Sequence, residues 1–243
     1  MKTKTALITG ATGGLGSAVV KHLSPENWLV HAPVRDEKKA RTLHIADNIV
    51  FEHCQDLADE KYVELYIRSL RNQTSELDLV ALTTGTFEWD NDTRGGEIEN
   101  LSEHLKEVKE RLWRANVLTK EPLLNSLIRN FGPALKNTDL YIVGSQAANF
   151  AKDDPRRLNE DTKFSEEYYI QSMQKVAKLG WQMYELKLFK NVYLFEPGLI
   201  DTEMARLAFT VKTIHHAIDW SKVDTPAMAA EKMFGVEPLQ AAL

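Results

Sequence analysis

The sequence has 243 residues, 43% of them hydrophobic and 27% charged, which is the composition of a globular domain that can bury a large core. Its net charge of -5 disfavours nucleic acid and anionic membranes as partners, and no apolar run approaches the roughly 20 residues that span a bilayer. Cys54 is the single cysteine, which excludes an intramolecular disulfide and favours a reducing compartment. Because the first ten residues also lack the apolar core of a signal peptide, we expect a cytoplasmic protein.

Short apolar strands alternate with amphipathic helices along the chain. The predicted strands are Thr5–Ile8, Trp28–Val34, Ile49–Glu52, Leu77–Leu82, Leu140–Val143 and Val192–Phe195. Helical periodicity is clearest in Ser17–Leu23, Glu60–Arg71 and Leu101–Ala115. This alternation predicts an α/β fold, a doubly wound parallel sheet with helices on both faces and right-handed crossovers. No Gly/Ser-rich linker or internal repeat divides the chain, so we expect residues 1–243 to form one domain.

Three longer segments follow the last three predicted strands. They are Phe87–Asn100, Asn149–Glu167 and Leu199–Val223. Open α/β sheets bind ligands beyond the carboxyl ends of their strands, so we expect these segments to form the walls of a substrate site, with residues 199–223 as its main loop. Their aromatic residues suggest an apolar pocket for a small-molecule substrate. These are Trp89, Phe150 and Trp220.

A glycine-rich turn joins the first strand to the first helix. Gly10 permits a tight turn, Gly14 lets the backbone approach a pyrophosphate, and Gly16 allows the helix to pack closely on the strand. The start of the helix presents free N–H groups and the positive end of its dipole to the phosphates. A strand before the turn and a helix after it are the context that this motif requires, so the segment predicts a dinucleotide site.

With Thr9 and these three glycines in the spacing T-G-x-x-x-G-x-G, the chain resembles the short-chain dehydrogenase/reductase family. The resemblance extends from Thr5 to about Met233 and implies a single Rossmann-type domain with three layers, α/β/α. Gly13 also fits the T-G-x-x-G-x-x-G of the extended members, so the motif does not choose between the two branches. A second family motif, P-G-x-[IV]-x-T, is matched by Pro197, Gly198, Ile200 and Thr202. The resemblance implies cofactor contacts at Thr9, Gly10, Thr12, Gly13, Gly14, Leu15, Gly16, Arg35, Asp56, Leu57, Thr84, Gly85, Pro197, Gly198, Ile200 and Thr202.

The end of the second strand bears on the choice of nucleotide. Val34 occupies the position where NAD-dependent members carry an Asp, and Arg35 follows it. A guanidinium there can hold a 2′-phosphate by paired charge-assisted hydrogen bonds, which favours NADP over NAD. Asp56 matches the aspartate after the family's third strand, near the adenine, and it is equally well placed to cap a helix.

The resemblance implies an NAD(P)-dependent oxidoreductase that transfers hydride to a small carbonyl or activated alkene, or from an alcohol. Such enzymes use a Tyr as acid, a Lys that lowers its pKa, a Ser that holds the carbonyl and an Asn that positions a water relay. Asn116 matches the last of these. Ser145 fills the first serine position after the fifth strand, and Gln146 stands where the family uses its second serine.

The Tyr/Lys pair can be read in two registers. Tyr169 fits Y-x-x-x-K, but Met173 then stands where the Lys belongs, and a thioether cannot lower the pKa of a phenol. Tyr168 and Lys175 fit the wider Y-x6-K of the enoyl-reductase branch, and residues seven apart share a helix face. We prefer the second register, because Gly180 lies where many members have a glycine after the lysine.

Gln146 and Met173 motivate a second hypothesis, an NAD(P)-binding protein without redox turnover that serves as a sensor, a scaffold or a non-redox cyclase or lyase. No metal site is expected, because no Cys/His set has zinc spacing. A homo-oligomer is expected, with a dimer favoured. An apolar stripe at helical spacing, formed by Leu123, Leu124, Leu127 and Ile128, is interpreted as core or as a dimer seam.

Overall fold

A computed structural model describes residues 2–24, 27–42, 47–87, 101–149, 163–202, 205–206 and 219–240. Six parallel strands form one sheet in the order β3-β2-β1-β4-β5-β6. The strands are β1 (Lys4–Thr9), β2 (Trp28–Val34), β3 (Ile49–His53), β4 (Leu79–Leu82), β5 (Asp139–Val143) and β6 (Asn191–Phe195). The order reverses between β1 and β4, as in a doubly wound sheet, so the predicted fold class is confirmed.

Helices cover both faces of this sheet. They are α1 (Gly14–Leu23), α2 (Glu37–Thr42), α3 (Glu60–Gln73), α4 (Leu101–Trp113), α5 (Glu121–Phe131), α6 (Lys163–Leu186) and α7 (Pro226–Phe234). The segment Leu101–Ala115, predicted to be helical, is helical throughout, but the regular α-helix α4 ends at Trp113. The chain then passes into a π-helical turn at Arg114–Leu118, a wider turn that is frequent at functional sites.

Alternate residues of β1, β4, β5 and β6 pack into two separate cores. On β1, Leu7 faces a core shared with α3, α5 and α6, whereas Ala6 and Ile8 face a core shared with α1 and α7. All three side chains are fully buried. This period of two, with apolar residues on both faces, is what a sheet covered on both sides requires.

The apolar stripe of α5 belongs to the first core. Leu123, Leu124 and Leu127 are at most 1% exposed and belong to the core that also contains buried residues of α3, β4 and β5, and Ile128 is partly buried against it. Of the two interpretations that the sequence allowed, core is correct for these residues, and they offer no surface to a second subunit.

The segments predicted to form the substrate walls are described in part. Phe87, Asn149, residues 163–167, 199–202, 205–206 and 219–223 belong to the described ranges; Trp89 and Phe150 lie outside them. Trp220 stacks against the guanidinium of Arg206, 5.6 Å from the ring centroid. Among the helices described here, none is both long and apolar enough to cross a membrane.

Candidate functional site

The turn after β1 has the geometry that its glycines predict. Gly10 adopts a φ of +68°, a left-handed conformation that side chains other than glycine rarely adopt. The N–H of Gly13 donates to the carbonyl of Gly10 (2.8 Å), which closes the turn. A Cβ added to Gly16 would lie 2.1 Å from the same carbonyl oxygen, so only glycine allows α1 to approach β1 this closely.

The first turn of α1 is open to a ligand. Its N-cap, Gly13, supplies no capping side chain, and no acidic residue lies in the first turn. The first amide groups of a helix have no partner within the helix, so here they and the positive end of the dipole point into the space above the turn. The chain after β6 closes this space from the other side, because a Cβ on Gly14 would lie 2.6 Å from Cγ2 of Thr202.

A cavity of about 850 Å³ lies beyond the carboxyl ends of β1, β4, β5 and β6. Twelve of the predicted cofactor residues line it: Gly10, Thr12, Gly13, Gly14, Leu15, Gly16, Thr84, Gly85, Pro197, Gly198, Ile200 and Thr202. A second cavity of about 490 Å³ between β3 and α3 contains no predicted site residue. The larger cavity therefore brings together the two family motifs that are farthest apart in the sequence.

The other four predicted cofactor residues do not line this cavity. Thr9 is buried at the end of β1, Arg35 is exposed at the end of β2, and Leu57 follows Asp56. Asp56 accepts a hydrogen bond from the N–H of Ala58 (2.8 Å) and an ion pair from Arg114 on the π-helical turn. Burial opposes ionisation of Asp56, but these bonds and the charge of Arg35 hold its pKa below the ordinary value. Asp56 thus closes a turn and pairs with Arg114, but it does not cap a helix as the sequence allowed, because the N-cap of α3 is Asp59, which accepts from the N–H of Lys61 (2.9 Å).

Asn116 lies in the π-helical turn, fully buried, and its amide reaches the cavity wall. Its Oδ1 accepts from the N–H of Thr86 (2.7 Å), and its Nδ2 donates to the carbonyl of the same residue (3.0 Å). Nδ2 also donates to Oγ of Ser172 on α6 (3.1 Å), and that hydroxyl donates to the carbonyl of Tyr169 (2.7 Å). Asn116 therefore joins the turn after β4 to the helix that carries the candidate acid.

Tyr169 and Ser145 lie on the same wall of the cavity. Burial raises the pKa of Tyr169 above its ordinary value, and the hydrogen bond between its phenol and Ser145 offsets this only in part. The ring of Phe87 packs edge-on against that of Tyr169, with centroids 5.0 Å apart. Gln146, which fills the second serine position, also lines the cavity and lies against Gly198. The site thus holds a phenol that stays protonated at neutral pH, beside a hydroxyl and an amide.

The structure does not bring Tyr168 or Lys175 to this cavity. Tyr168 packs under the ammonium of Lys109, 5.2 Å from the ring centroid, and Lys175 forms an ion pair with Glu121 (3.1 Å). Met173 lines the cavity instead, one turn of α6 after Tyr169, and is 4% exposed. The geometry therefore favours the first register, with a methionine at the lysine position, over the register that we prefer from the sequence.

Two residues that the sequence did not single out lie at this site. Glu166 lines the cavity three residues before Tyr169, on the same face of α6. Lys120 is fully buried behind the wall and donates to the carbonyls of Thr84 and Asn116. In the sequence, only its spacing of four residues from Asn116 indicates that Lys120 could lie near the site. Lysines at this spacing from an asparagine are too common for the pattern to identify a site.

Comparisons with known proteins agree with this geometry. A family model described as short chain dehydrogenase matches residues 4–119. No curated protein matches the sequence. Among solved structures, ElxO with NADP bound is 18% identical over 96% of this chain and 91% of its own, with a TM-score of 0.72.

Two further solved structures have the same fold. A short-chain dehydrogenase/reductase of Serratia marcescens is 18% identical over 99% of this chain and 92% of its own, with a TM-score of 0.70. An alcohol dehydrogenase of the archaeon Thermococcus sibiricus, complexed with 5-hydroxy-NADP, is 17% identical over 97% of this chain and 92% of its own, with a TM-score of 0.68. The glycine turn, the strand order and the family model matched over residues 4–119 support a place for this chain among the short-chain dehydrogenases/reductases, whose fold it shares.

Proposed function

We propose that this protein is an NADP(H)-dependent oxidoreductase that reduces a small carbonyl substrate. The observation that carries this proposal is the position of Tyr169 and Ser145 on the wall of the cavity whose floor is the glycine turn. A nucleotide held by that turn and a substrate at Tyr169 would occupy the same cavity.

The residues present fit a nicotinamide dinucleotide. Uncapped N–H groups at the start of α1 suit a diphosphate, and the absence of a side chain at Gly14 makes room for Thr202 against the glycine turn. Thr202 closes over the turn and is placed to bind the nucleotide from above. When bound, the nicotinamide supplies the hydride for the reduction.

The choice of NADP over NAD rests on the end of β2. Arg35 is exposed there, Val34 offers no carboxylate to a ribose, and the carboxylate of Asp56 is occupied by Arg114 and Ala58. A ligand carrying a 2′-phosphate would gain a charged partner in Arg35 without meeting a free acid. ElxO and the Thermococcus sibiricus enzyme, which share this fold, have NADP or an NADP derivative bound.

The direction of the reaction follows from the state of Tyr169. A phenol whose pKa is raised by burial is protonated at neutral pH, so it can donate a proton to the oxygen of a carbonyl as that oxygen gains negative charge. Ser145 orients the phenol and can share the same oxygen, and the amide of Gln146 adds a second donor. Such a phenol is a poor base, which disfavours oxidation of alcohols at the same pH.

A second function, nucleotide binding without turnover, is favoured by one observation. Met173 leaves Tyr169 without a neighbouring ammonium on its face of α6, and Lys175 is engaged by Glu121. The glycine turn does not depend on the residue at position 173. The nucleotide would therefore still bind, and the chain would act as a sensor or scaffold.

Binding and turnover can be measured separately. Quenching of protein fluorescence would report NADPH binding, and loss of absorbance at the nicotinamide band would report its oxidation with a panel of aldehydes and ketones. We expect both in the unaltered protein, turnover reduced about 100-fold in Tyr169→Phe, and little change in the matched Tyr168→Phe. Binding without oxidation of NADPH by any carbonyl would establish the second function, and the lack of binding would refute both.

Three further expectations stay predictions. They are a homodimer, a cytoplasmic location and the role of residues 199–223 as the substrate loop. Sedimentation velocity would test for a homodimer, and microscopy of a tagged chain would test the location. A comparison of KM values before and after substitution of Leu199 would test the role of the loop.

A further inference from the structure

Lys120 is a buried ammonium without a described carboxylate partner. It stands immediately before α5 and has no exposed surface. Its Nζ donates to two backbone carbonyls, those of Thr84 and of Asn116 (2.9 Å to the second). Burying a charge that is held by neutral groups alone is unfavourable, so such a residue is rare in a core and its presence calls for a role.

Both carbonyls belong to residues on the cavity wall. Thr84 lies in the turn after β4, beside Thr83, whose hydroxyl donates to the carbonyl of Thr9 (2.6 Å) at the start of the glycine turn. Asn116 holds Thr86 of the same turn through two hydrogen bonds. Lys120 therefore links the turn after β4 to the π-helical turn through hydrogen bonds on the side of the cavity wall that faces the protein interior.

We propose that Lys120 is a positioning residue of the nucleotide site, which in its charged form fixes the carbonyls of Thr84 and Asn116 and thereby couples the uptake of a proton to the binding of the nucleotide. This inference rests on the proposed function, because it requires a nucleotide in the cavity. Charge-assisted hydrogen bonds are stronger than those of a neutral amine, so protonation of Lys120 tightens the wall. An anionic nucleotide beside that wall favours the charged form in turn.

The surroundings of Lys120 leave it free to change its charge near neutral pH. Burial lowers its pKa to about 7. Titratable groups lie on the elements packed around it: Glu121 of α5 pairs with Lys175 of α6, Arg114 of the π-helical turn pairs with Asp56, Tyr169 of α6 bonds to Ser145, and Glu166 of α6 lines the cavity. The turn Thr83–Thr86 after β4 carries no ionisable side chain.

Calorimetry of NADPH binding in two buffers of different ionisation enthalpy measures this coupling. At about pH 7 we expect the unaltered protein to take up roughly half a proton more than Lys120→Met does, with about tenfold weaker binding in that variant. Methionine has nearly the length of lysine and no charge, so it suits a buried position. Lys178→Met is the matched control: Lys178 is exposed on α6 and does not line the cavity, so this variant should bind NADPH with the affinity and proton uptake of the unaltered protein.

A direct titration keeps the proposal testable if Lys120→Met does not fold. The ¹³Cε resonance of Lys120 should titrate near pH 7 in the free protein and at a higher pH when NADPH is bound. Equal proton uptake with and without Lys120, or a titration near 10.5 that NADPH does not change, would overturn the proposal while leaving the proposed function intact. A protein that binds no NADPH would refute the proposed function and this inference together.

Discussion

The ammonium of Lys175 lies 3.1 Å from a carboxylate oxygen of Glu121, and this ion pair directs the lysine away from the cavity. The two side chains are 28% and 37% exposed, so the pair contributes at most about 1 kcal/mol to stability. Lys175 therefore has a local structural role that does not require contact with a nucleotide.

The first prediction concerns this lysine. Lys175→Met should leave the rate of NADPH oxidation within about threefold of the unaltered protein, because no group on the cavity wall depends on it. Steady-state kinetics with the best carbonyl of the panel would measure the effect. A loss as large as that of Tyr169→Phe would show that α6 rotates on ligand binding and that the wider register is the functional one.

A second prediction restores the missing charge. Met173→Lys would place an ammonium one turn after Tyr169 on the same helix face, where opposite charge favours the phenolate and lowers the pKa of Tyr169. The alkaline limb of the pH–rate profile should then move to lower pH than in the unaltered protein, and oxidation of alcohols should become faster. Met228→Lys on the exposed side of α7 is the control, because Met228 is 47% exposed and does not line the cavity.

The register of the Tyr/Lys pair shows what the sequence can and cannot predict. Periodicity correctly groups Tyr168 with Lys175, and Tyr169 with Met173, because side chains four or seven residues apart share a helix face. Which of the two faces meets the cavity depends on how α6 packs against the π-helical turn, and the ion pair with Glu121 joins residues 54 positions apart. Neither the packing of α6 nor this ion pair is encoded in local spacing. The sequence alone therefore could not decide which of the two Tyr/Lys registers faces the cavity.

The glycine turn was predictable for the opposite reason. Its constraints are local: the left-handed φ of Gly10 and the 2.1 Å approach at Gly16 both arise within one turn of chain. The burial of Lys120 was not predictable, because a lysine near the start of a helix usually remains in solvent. Only the tertiary contact with Thr84, 36 residues away, reveals its position.

A third prediction tests the close contact between α1 and β1. Gly16→Ala should abolish NADPH binding and destabilise the fold by about 1–3 kcal/mol, because the new Cβ would overlap the carbonyl of Gly10 and force the turn to shift. Gly235→Ala is a matched control: its Cβ would lie 3.5 Å from the nearest carbonyl, far from the cavity. Fluorescence titration and thermal unfolding would measure both effects. Retained binding in Gly16→Ala would contradict the structure of the turn.

A fourth prediction concerns the choice of nucleotide. Arg35→Gln should weaken binding of NADPH by about tenfold and leave binding of NADH nearly unchanged, because only NADPH carries the phosphate that the guanidinium would hold. Titrations with both nucleotides at one salt concentration would give the ratio. If both affinities fell equally, Arg35 would be acting through Asp56, whose pKa it helps to lower, and not through the 2′-phosphate.

The last prediction follows from the pKa of Lys120 and concerns stability. Burial lowers this pKa from 10.5 to about 7, so between these values the unfolded chain binds the proton and the folded protein does not. Stability attributable to Lys120 must therefore rise with pH over this window. Relative to Lys120→Met, the unaltered protein should gain about 2 kcal/mol in its free energy of unfolding between pH 7 and pH 9.

Urea unfolding of both proteins at pH 7, 8 and 9 measures this difference, and the subtraction cancels groups that titrate alike in the two chains. Cys54, whose pKa burial raises to about 11, and the buried tyrosines are among them. Parallel curves for the unaltered protein and Lys120→Met would mean that Lys120 holds its charge in the fold, and a proton-linked role for it would then be excluded.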